Sequence, residues 1–149
     1  MFKKTLLIVA LLALTVALPA CGGKKVIKTQ PVTGTVTLDG SPLADANVIF
    51  TPTGDGGSPA SGKTDASGVY KLQTAQGAAG AGTTEGNYVV TVTCNKVVKE
   101  AERDSEGEVI REEETQNIVP AKYGDQKKSG LTATVVKGPN TYDIELTSK

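Results

Sequence analysis

The sequence predicts an all-β protein, built as a seven-stranded antiparallel β-sandwich. The chain of 149 residues has 17 Gly, no Trp and only two Phe, a composition that favours short strands and turns. Apolar and polar residues alternate over seven short stretches, and turn signals separate these stretches at intervals of roughly eight to twelve residues. Because each sheet has one apolar face, the two sheets are expected to bury those faces against each other.

The first 20 residues have the composition of a bacterial signal peptide. A basic start with Lys3 and Lys4 precedes an uncharged run of 13 residues from Leu6 to Leu18. A helix needs about 20 apolar residues to span a bilayer, so this run is too short for a permanent span and is typical of a signal-peptide core. We therefore expect residues 1–20 to be removed.

Cys21 follows this run in the stretch "LPAC". The stretch resembles the lipobox of bacterial lipoproteins, although Pro19 stands where that pattern usually has a small residue. The resemblance implies that the Cys21 thiol receives a diacylglycerol and that Cys21 becomes the first residue of the mature chain. The residue after the cysteine is Gly22 and not Asp, which resembles the lipoproteins of the outer membrane in well-studied bacteria. An uncleaved anchor and a plain secreted protein with an incidental thiol stay open as alternatives.

Charge and composition exclude several classes of function. From Cys21 onward the chain has 14 basic and 16 acidic residues, a net charge of −2, which argues against a nucleic-acid partner. The chain has no His, so it lacks the His-based nucleophile pairs and the commonest zinc ligand. Asp65 and Ser67 begin a calcium-like loop whose further acidic residues are missing. The sequence thus predicts no catalytic residue, no metal ligand and no cofactor.

Residues 21–30 are expected to form a flexible basic tether, and residues 31–149 the sandwich domain. Alternation predicts which side chains point into its core. These are Val32, Val36, Leu38, Val48, Phe50, Tyr70, Leu72, Tyr88, Val90, Val92, Cys94, Leu131, Ala133, Val135, Tyr142, Ile144 and Leu146. The loop 53–64 is expected to lead into a short edge strand, and Gly68 to close a turn in the left-handed conformation.

Cys94 ends the strongest of these strands, so we expect a buried thiol that behaves as a small apolar side chain. A disulfide with Cys21 is not expected if Cys21 carries a lipid.

Residues 96–116 interrupt the alternation. They form a charged insertion with eight acidic and four basic residues. Two structures stay open, a projecting hairpin with "DSEG" as its turn and a disordered loop. Two roles also stay open, solvated surface and an acidic docking site for a basic partner or a cation.

The order of the motifs resembles the carboxypeptidase regulatory-like domain, which is similar to transthyretin. The matching stretches are "VTGTVTLDGSPLADANVIFTP", "GKTDASGVYKL" and "GNYVVTVT". The closing stretch from Val119 also resembles small bacterial envelope lipoproteins built from this domain. The resemblance covers residues 31–149 and implies a prealbumin-like, immunoglobulin-like sandwich. It implies no catalysis.

The sequence therefore predicts a lipid-anchored, non-catalytic module of the bacterial cell envelope with a structural or protein-binding role. Its partners would be the membrane, through the lipid on Cys21, and an unidentified envelope protein. The alternative is an accessory or enzyme-associated domain that binds carbohydrate or a cation or assists a hydrolase. Carbohydrate binding is disfavoured by the few aromatic residues, and acid–base chemistry by the solvation of the acidic run.

Overall fold

The computed structural model describes residues 28–75, 77 and 81–149. The predicted signal peptide and the lipidation site Cys21 lie outside these residues. The described residues form strands and one short 3-10 helix, which confirms the all-β fold class. In this part of the chain, no helix has the length and apolar character to cross a membrane.

The described residues contain 14 short strands where the sequence predicts seven longer ones. Two predicted strands are each divided in two, one at Leu72 and one at Tyr142 and Asp143. The other additional strands lie at Ser41–Pro42 and in and next to the charged insertion. The elements are β1 (Val32–Leu38), β2 (Ser41–Pro42), β3 (Asn47–Pro52), β4 (Ala60–Lys63), β5 (Val69–Lys71), β6 (Gln73–Thr74), β7 (Gly86–Thr93), β8 (Asn95–Lys99), β9 (Glu102–Arg103), β10 (Val109–Arg111), β11 (Glu114–Asn117), the 3-10 helix (Ala121–Gly124), β12 (Leu131–Val135), β13 (Asn140–Thr141) and β14 (Ile144–Leu146).

Two sheets form the sandwich. The first has the order β12-β7-β3-β4-β6 and is antiparallel throughout. In the second, β1 pairs with β2 and β5 in antiparallel fashion. However, β1 pairs with β13 and β14 in parallel fashion, which departs from the fully antiparallel prediction. The departure is possible because β1 and β13 are far apart in the chain and no hairpin turn constrains their relative direction.

The predicted inward side chains form the core between the sheets. Most of them are at most 6% exposed, as predicted, whereas Leu38, Leu131 and Tyr142 are half-buried and pack at the margin. Phe50 lies at the centre, with the rings of Tyr70, Tyr88 and Tyr142 at centroid distances of 6.4, 5.9 and 6.2 Å. Such aromatic packing supplies much of the apolar burial in a core of small aliphatic residues.

The buried side-chain nitrogen and oxygen atoms of the described residues all have hydrogen-bond partners. The Tyr70 hydroxyl donates to the carbonyl oxygen of Tyr142 at 2.7 Å, and Thr64 Oγ1 bridges the backbones of Leu43 and Ala46. This part of the interior therefore shows no orphaned polar atom that would point to a buried ligand.

Two details differ from the sequence-based expectation, and a third, at Tyr123, agrees with it. The strand β4 is not at the sheet edge, because β6 pairs with it at Ala60 and Ser61. Gln30, assigned to the tether, bridges to Thr83 and lies within the folded domain. Tyr123, in the 3-10 helix, is only 8% exposed and bonds to Thr147 through its hydroxyl, as expected of a packing role.

The turn at Asp65 has the predicted form. Its side chain accepts hydrogen bonds from the backbones of Ser67 and Val69, and Gly68 has a φ of 76°. Asp65 is therefore a turn residue in this structure, and its carboxylate is used locally.

Candidate functional site

A hairpin extends beyond the sandwich from the end of β7. This projecting hairpin, Asn95–Asn117, consists of β8 paired with β11 and, towards the tip, β9 paired with β10. Every residue of it is exposed. Of the two structures that the sequence left open for the charged insertion, the chain adopts the hairpin.

The root and the tip of the projecting hairpin are both held by side-chain caps. At the root, Asn117 Oδ1 accepts hydrogen bonds from the backbone N–H groups of Cys94 and Val119 at 3.0 and 3.2 Å. At the tip, Asp104 Oδ1 accepts from the N–H groups of Glu106 and Glu108 at 2.9 and 3.0 Å. The tip is therefore the "DSEG" turn of the hairpin alternative.

Each arm of the projecting hairpin contains one extra residue. In β8, Val97 lies opposite Thr115 and Lys99 opposite Glu114, which leaves Val98 without a cross-strand partner. In β10, the same irregularity leaves Ile110 without one. Such bulges increase the twist of a ladder and redirect side chains, and they are common beside functional sites.

The projecting hairpin carries most of the exposed large apolar side chains. Among the described residues, six large apolar side chains are exposed, and four of them lie in the hairpin. These four are Val97, Val98, Val109 and Ile110, with exposed fractions of 49, 47, 42 and 61%. The other two, Ile49 and Val136, stand elsewhere on the surface. Single exposed apolar residues are ordinary, but four on one short element are not.

The charge of the projecting hairpin is strongly negative. It holds eight acidic and four basic residues, a net charge of −4. Two of the acidic residues pair with basic ones, Glu114 with Lys99 at 2.6 Å and Glu102 with Arg111 at 3.0 Å. These pairs are exposed and contribute roughly 0–1 kcal/mol each. The ion pairs of the described residues leave six hairpin carboxylates free: Glu100, Asp104, Glu106, Glu108, Glu112 and Glu113.

A shallow polar cleft of 460 Å³ lies at the root of the projecting hairpin. Its lining residues are Asp45, Asn47, Lys63, Asn95, Lys96 and Val97. The hydrogen bond from Lys63 Nζ to Asp45, at 2.8 Å, lowers the pKa of Asp45 and raises that of Lys63. Both groups are solvated, and of these lining residues none is aromatic, so the cleft lacks the stacking surface usual for a sugar.

A second groove, of 290 Å³, lies on the outer surface along β6 and includes Ile49, Pro59 and Ala75. It is more apolar than the cleft at the hairpin root, and it contains no ionisable side chain.

The structure assigns no chemistry to the remaining candidates. Cys94 is a fully buried free thiol, and burial raises its pKa, so the reactive thiolate is disfavoured. Its Sγ lies 3.4 Å from the carbonyl oxygen of Ala44. In the described part of the chain, no three Cys, Asp or Glu side chains cluster as metal ligands would.

The sequence predicted the charged insertion but neither the bulges nor the cleft. The bulges depend on how β8 aligns with β11 and β9 with β10, and the cleft depends on how the hairpin root meets Asp45 and Lys63. Alternation within one strand carries no signal for either arrangement.

Comparisons with known proteins add little to this description. No family model matches the chain, and no curated protein matches it. Among solved structures, a 9R-lipoxygenase from Cyanothece PCC8801 has 13% identity and a TM-score of 0.39, over 80% of this chain and 16% of that one. A DUF3823 family protein from Parabacteroides merdae has 15% identity and a TM-score of 0.37, over 82% of this chain and 47% of that one. This chain thus spans less than half of either protein, and likenesses this low support no argument about function.

Proposed function

We propose that this protein is a lipid-anchored, non-catalytic module of the bacterial cell envelope that binds a protein partner through the projecting hairpin. The membrane attachment would be a lipid on Cys21, as the resemblance of "LPAC" to a lipobox implies. We further propose that residues 31–149 are a carboxypeptidase regulatory-like domain, on the order of the motifs in the sequence.

The observation that carries the proposal is the exposure of four large apolar side chains on the projecting hairpin. The hairpin contributes nothing to the core, since all its residues are exposed. Its Val and Ile residues are therefore not explained by folding of the sandwich. Exposed apolar side chains within a polar surround are typical of a site of protein association.

A non-catalytic role is supported by the environment of the acidic residues. Acid–base catalysis by paired carboxylates needs one of them to be desolvated, so that its pKa rises towards neutrality. The eight acidic residues of the hairpin are exposed, and none has that environment.

The anchor is tested by labelling growing cells with a fatty acid that can be detected on the purified protein. Wild type should carry the label and fractionate with membranes, and Cys21→Ser should lose both properties. Cys94→Ala is the matched control and should keep the label. A labelled Cys21→Ser protein would disprove lipidation at Cys21.

Protein binding is tested by chemical crosslinking in intact cells, followed by detection of this protein at higher mass. The test variant replaces residues 98–114 with Asn-Gly, which joins Val97 directly to Thr115 through a two-residue turn. Crosslinked species should form with wild type and disappear with this variant. If they persist unchanged, the projecting hairpin is not the binding element and the proposed function is wrong.

A further inference from the structure

We infer that the partner of the projecting hairpin is a protein surface with an apolar depression rimmed by Lys and Arg, into which Val98 and Ile110 insert. The inference rests on the proposed function, and it adds the chemistry of the partner.

The apolar depression of the partner surface is inferred from the two bulges. Val98 and Ile110 are the extra residues of their arms, so neither has a cross-strand partner within the hairpin. They are 47 and 61% exposed. A large apolar side chain that is unpaired and solvated gains from transfer out of water, and contact with a partner provides that transfer.

The basic rim of the partner surface is inferred from the six hairpin carboxylates that are outside the ion pairs. They lie on the same hairpin as the apolar residues and, together with the basic residues Lys96 and Arg103, give it a net charge of −4. A complementary surface must supply positive charge around the apolar contact, which steers association and sets the register of the complex.

The same charge argues against other occupants. An anionic lipid surface attracts basic segments, so a segment with net charge −4 is repelled from it despite its apolar side chains. Nucleic acid is excluded on the same ground. A bound cation would account for the carboxylates but would leave the apolar side chains exposed. Only a protein with both features matches both halves of the surface.

The first test places a photo-crosslinking residue at position 110 of the full-length protein and, as the matched control, at position 136. Val136 is 56% exposed and lies outside the projecting hairpin. Irradiation of intact cells should give a conjugate from position 110 at a several-fold higher yield than from position 136. The crosslinked peptide of the partner should have net positive charge and apolar residues.

The inference is overturned if position 110 gives no conjugate, or no more than position 136 gives. It is equally overturned if the crosslinked peptide is neutral or acidic, if the conjugate is to lipid, or if it is a second copy of this chain.

The second test moves the crosslinker to position 106. Separate variants then change either the apolar residues or the carboxylates of the projecting hairpin. Val98→Ser with Ile110→Ser should lower the yield about tenfold or more, while Val136→Ser should not change it. Glu112→Gln with Glu113→Gln should lower the yield and weaken its dependence on salt, while the exposed Glu145→Gln should change neither.

The two proposals fail in different ways. If the 98–114 replacement leaves crosslinking intact, the proposed function fails. If that replacement abolishes crosslinking while the Ser and Gln variants retain wild-type yield, the hairpin binds a partner of different chemistry and only this inference fails.

Discussion

Gly34 lies in β1 against the backbone of Tyr142 and the ring of Tyr70. A Cβ atom at this position would overlap the backbone carbonyl of Tyr142 and would lie 3.0 Å from Tyr70 Cε1. The sequence presents Gly34 as one of 17 glycines. The reason that position 34 must be a glycine becomes clear only when β1, β5 and the β13–β14 segment are in place.

Gly34→Ala is therefore expected to lower the free energy of unfolding by about 2–3 kcal/mol, because backbone atoms must move to accept the methyl group. Gly54→Ala, where a Cβ meets nothing within 4 Å, should change it by about 0.5 kcal/mol or less. Chemical denaturation of both variants measures the difference. Equal effects would show that the close approach of Tyr142 is wrong.

Cys94 gives a prediction about pH. Burial raises the pKa of its thiol above the ordinary value of 9.0, so the unfolded chain loses this proton before the folded chain does. The contribution of this difference to the free energy of unfolding is complete below the pKa of the thiol in the unfolded chain. It is lost as pH rises from there through the pKa of the thiol in the folded chain.

Between about pH 8 and about pH 10, wild type should therefore lose more free energy of unfolding than Cys94→Ala does. Denaturation curves across this range measure the two slopes, and the slopes are compared, since the Ala variant is less stable at every pH. Parallel slopes would contradict a buried Cys94 thiol. Rapid alkylation of the native protein would contradict it as well.

At the scale of elements, the projecting hairpin and the sandwich are joined but do not share a core. Contacts between them concentrate at the root, where Asn117 caps the backbone of Cys94 and Val119. The sequence predicted the segment and its charge, because these are local properties, and it left open whether the segment forms a hairpin or a disordered loop. It did not predict the two bulges, because a bulge is a property of two aligned strands.

Replacing residues 98–114 with Asn-Gly should change the free energy of unfolding of the sandwich by only about 1 kcal/mol or less, since no buried side chain is removed. Asn117 stays in place and still caps the root. Equilibrium denaturation measures the effect. A loss of several kcal/mol would mean that the hairpin supports the core, and its apolar residues would then need a structural explanation.

For the whole molecule, the parallel pairing of β1 with β14 joins the beginning of the domain to its end. Val36 lies opposite Ile144 and Leu38 opposite Leu146, more than a hundred residues away along the chain. Such non-local pairing makes folding slow, with refolding expected in roughly milliseconds to seconds. Among the described residues, only β13 and β14 pair with β1 on that side, so the second sheet depends on these non-local contacts.

Leu146→Ala should lower the free energy of unfolding by about 3 kcal/mol, because Leu146 is 1% exposed and its removal leaves a cavity. Val136→Ala, at a side chain that is 56% exposed, should cost about 0.5 kcal/mol or less. Thermal and chemical denaturation compare the two. A small effect at Leu146 would indicate that β14 does not close the sandwich.

The sequence by itself determined the fold class, most of the inward side chains, the turn at Asp65 and the negative charge of the segment 96–116. These follow from the period of two and from local side-chain hydrogen bonds, both of which act between residues close in the chain. The tertiary structure alone decided the parallel partner of β1, the close packing at Gly34 and the exposure of Val98 and Ile110. Each of these depends on register and strand order, which are set by surfaces that meet only when distant segments come together.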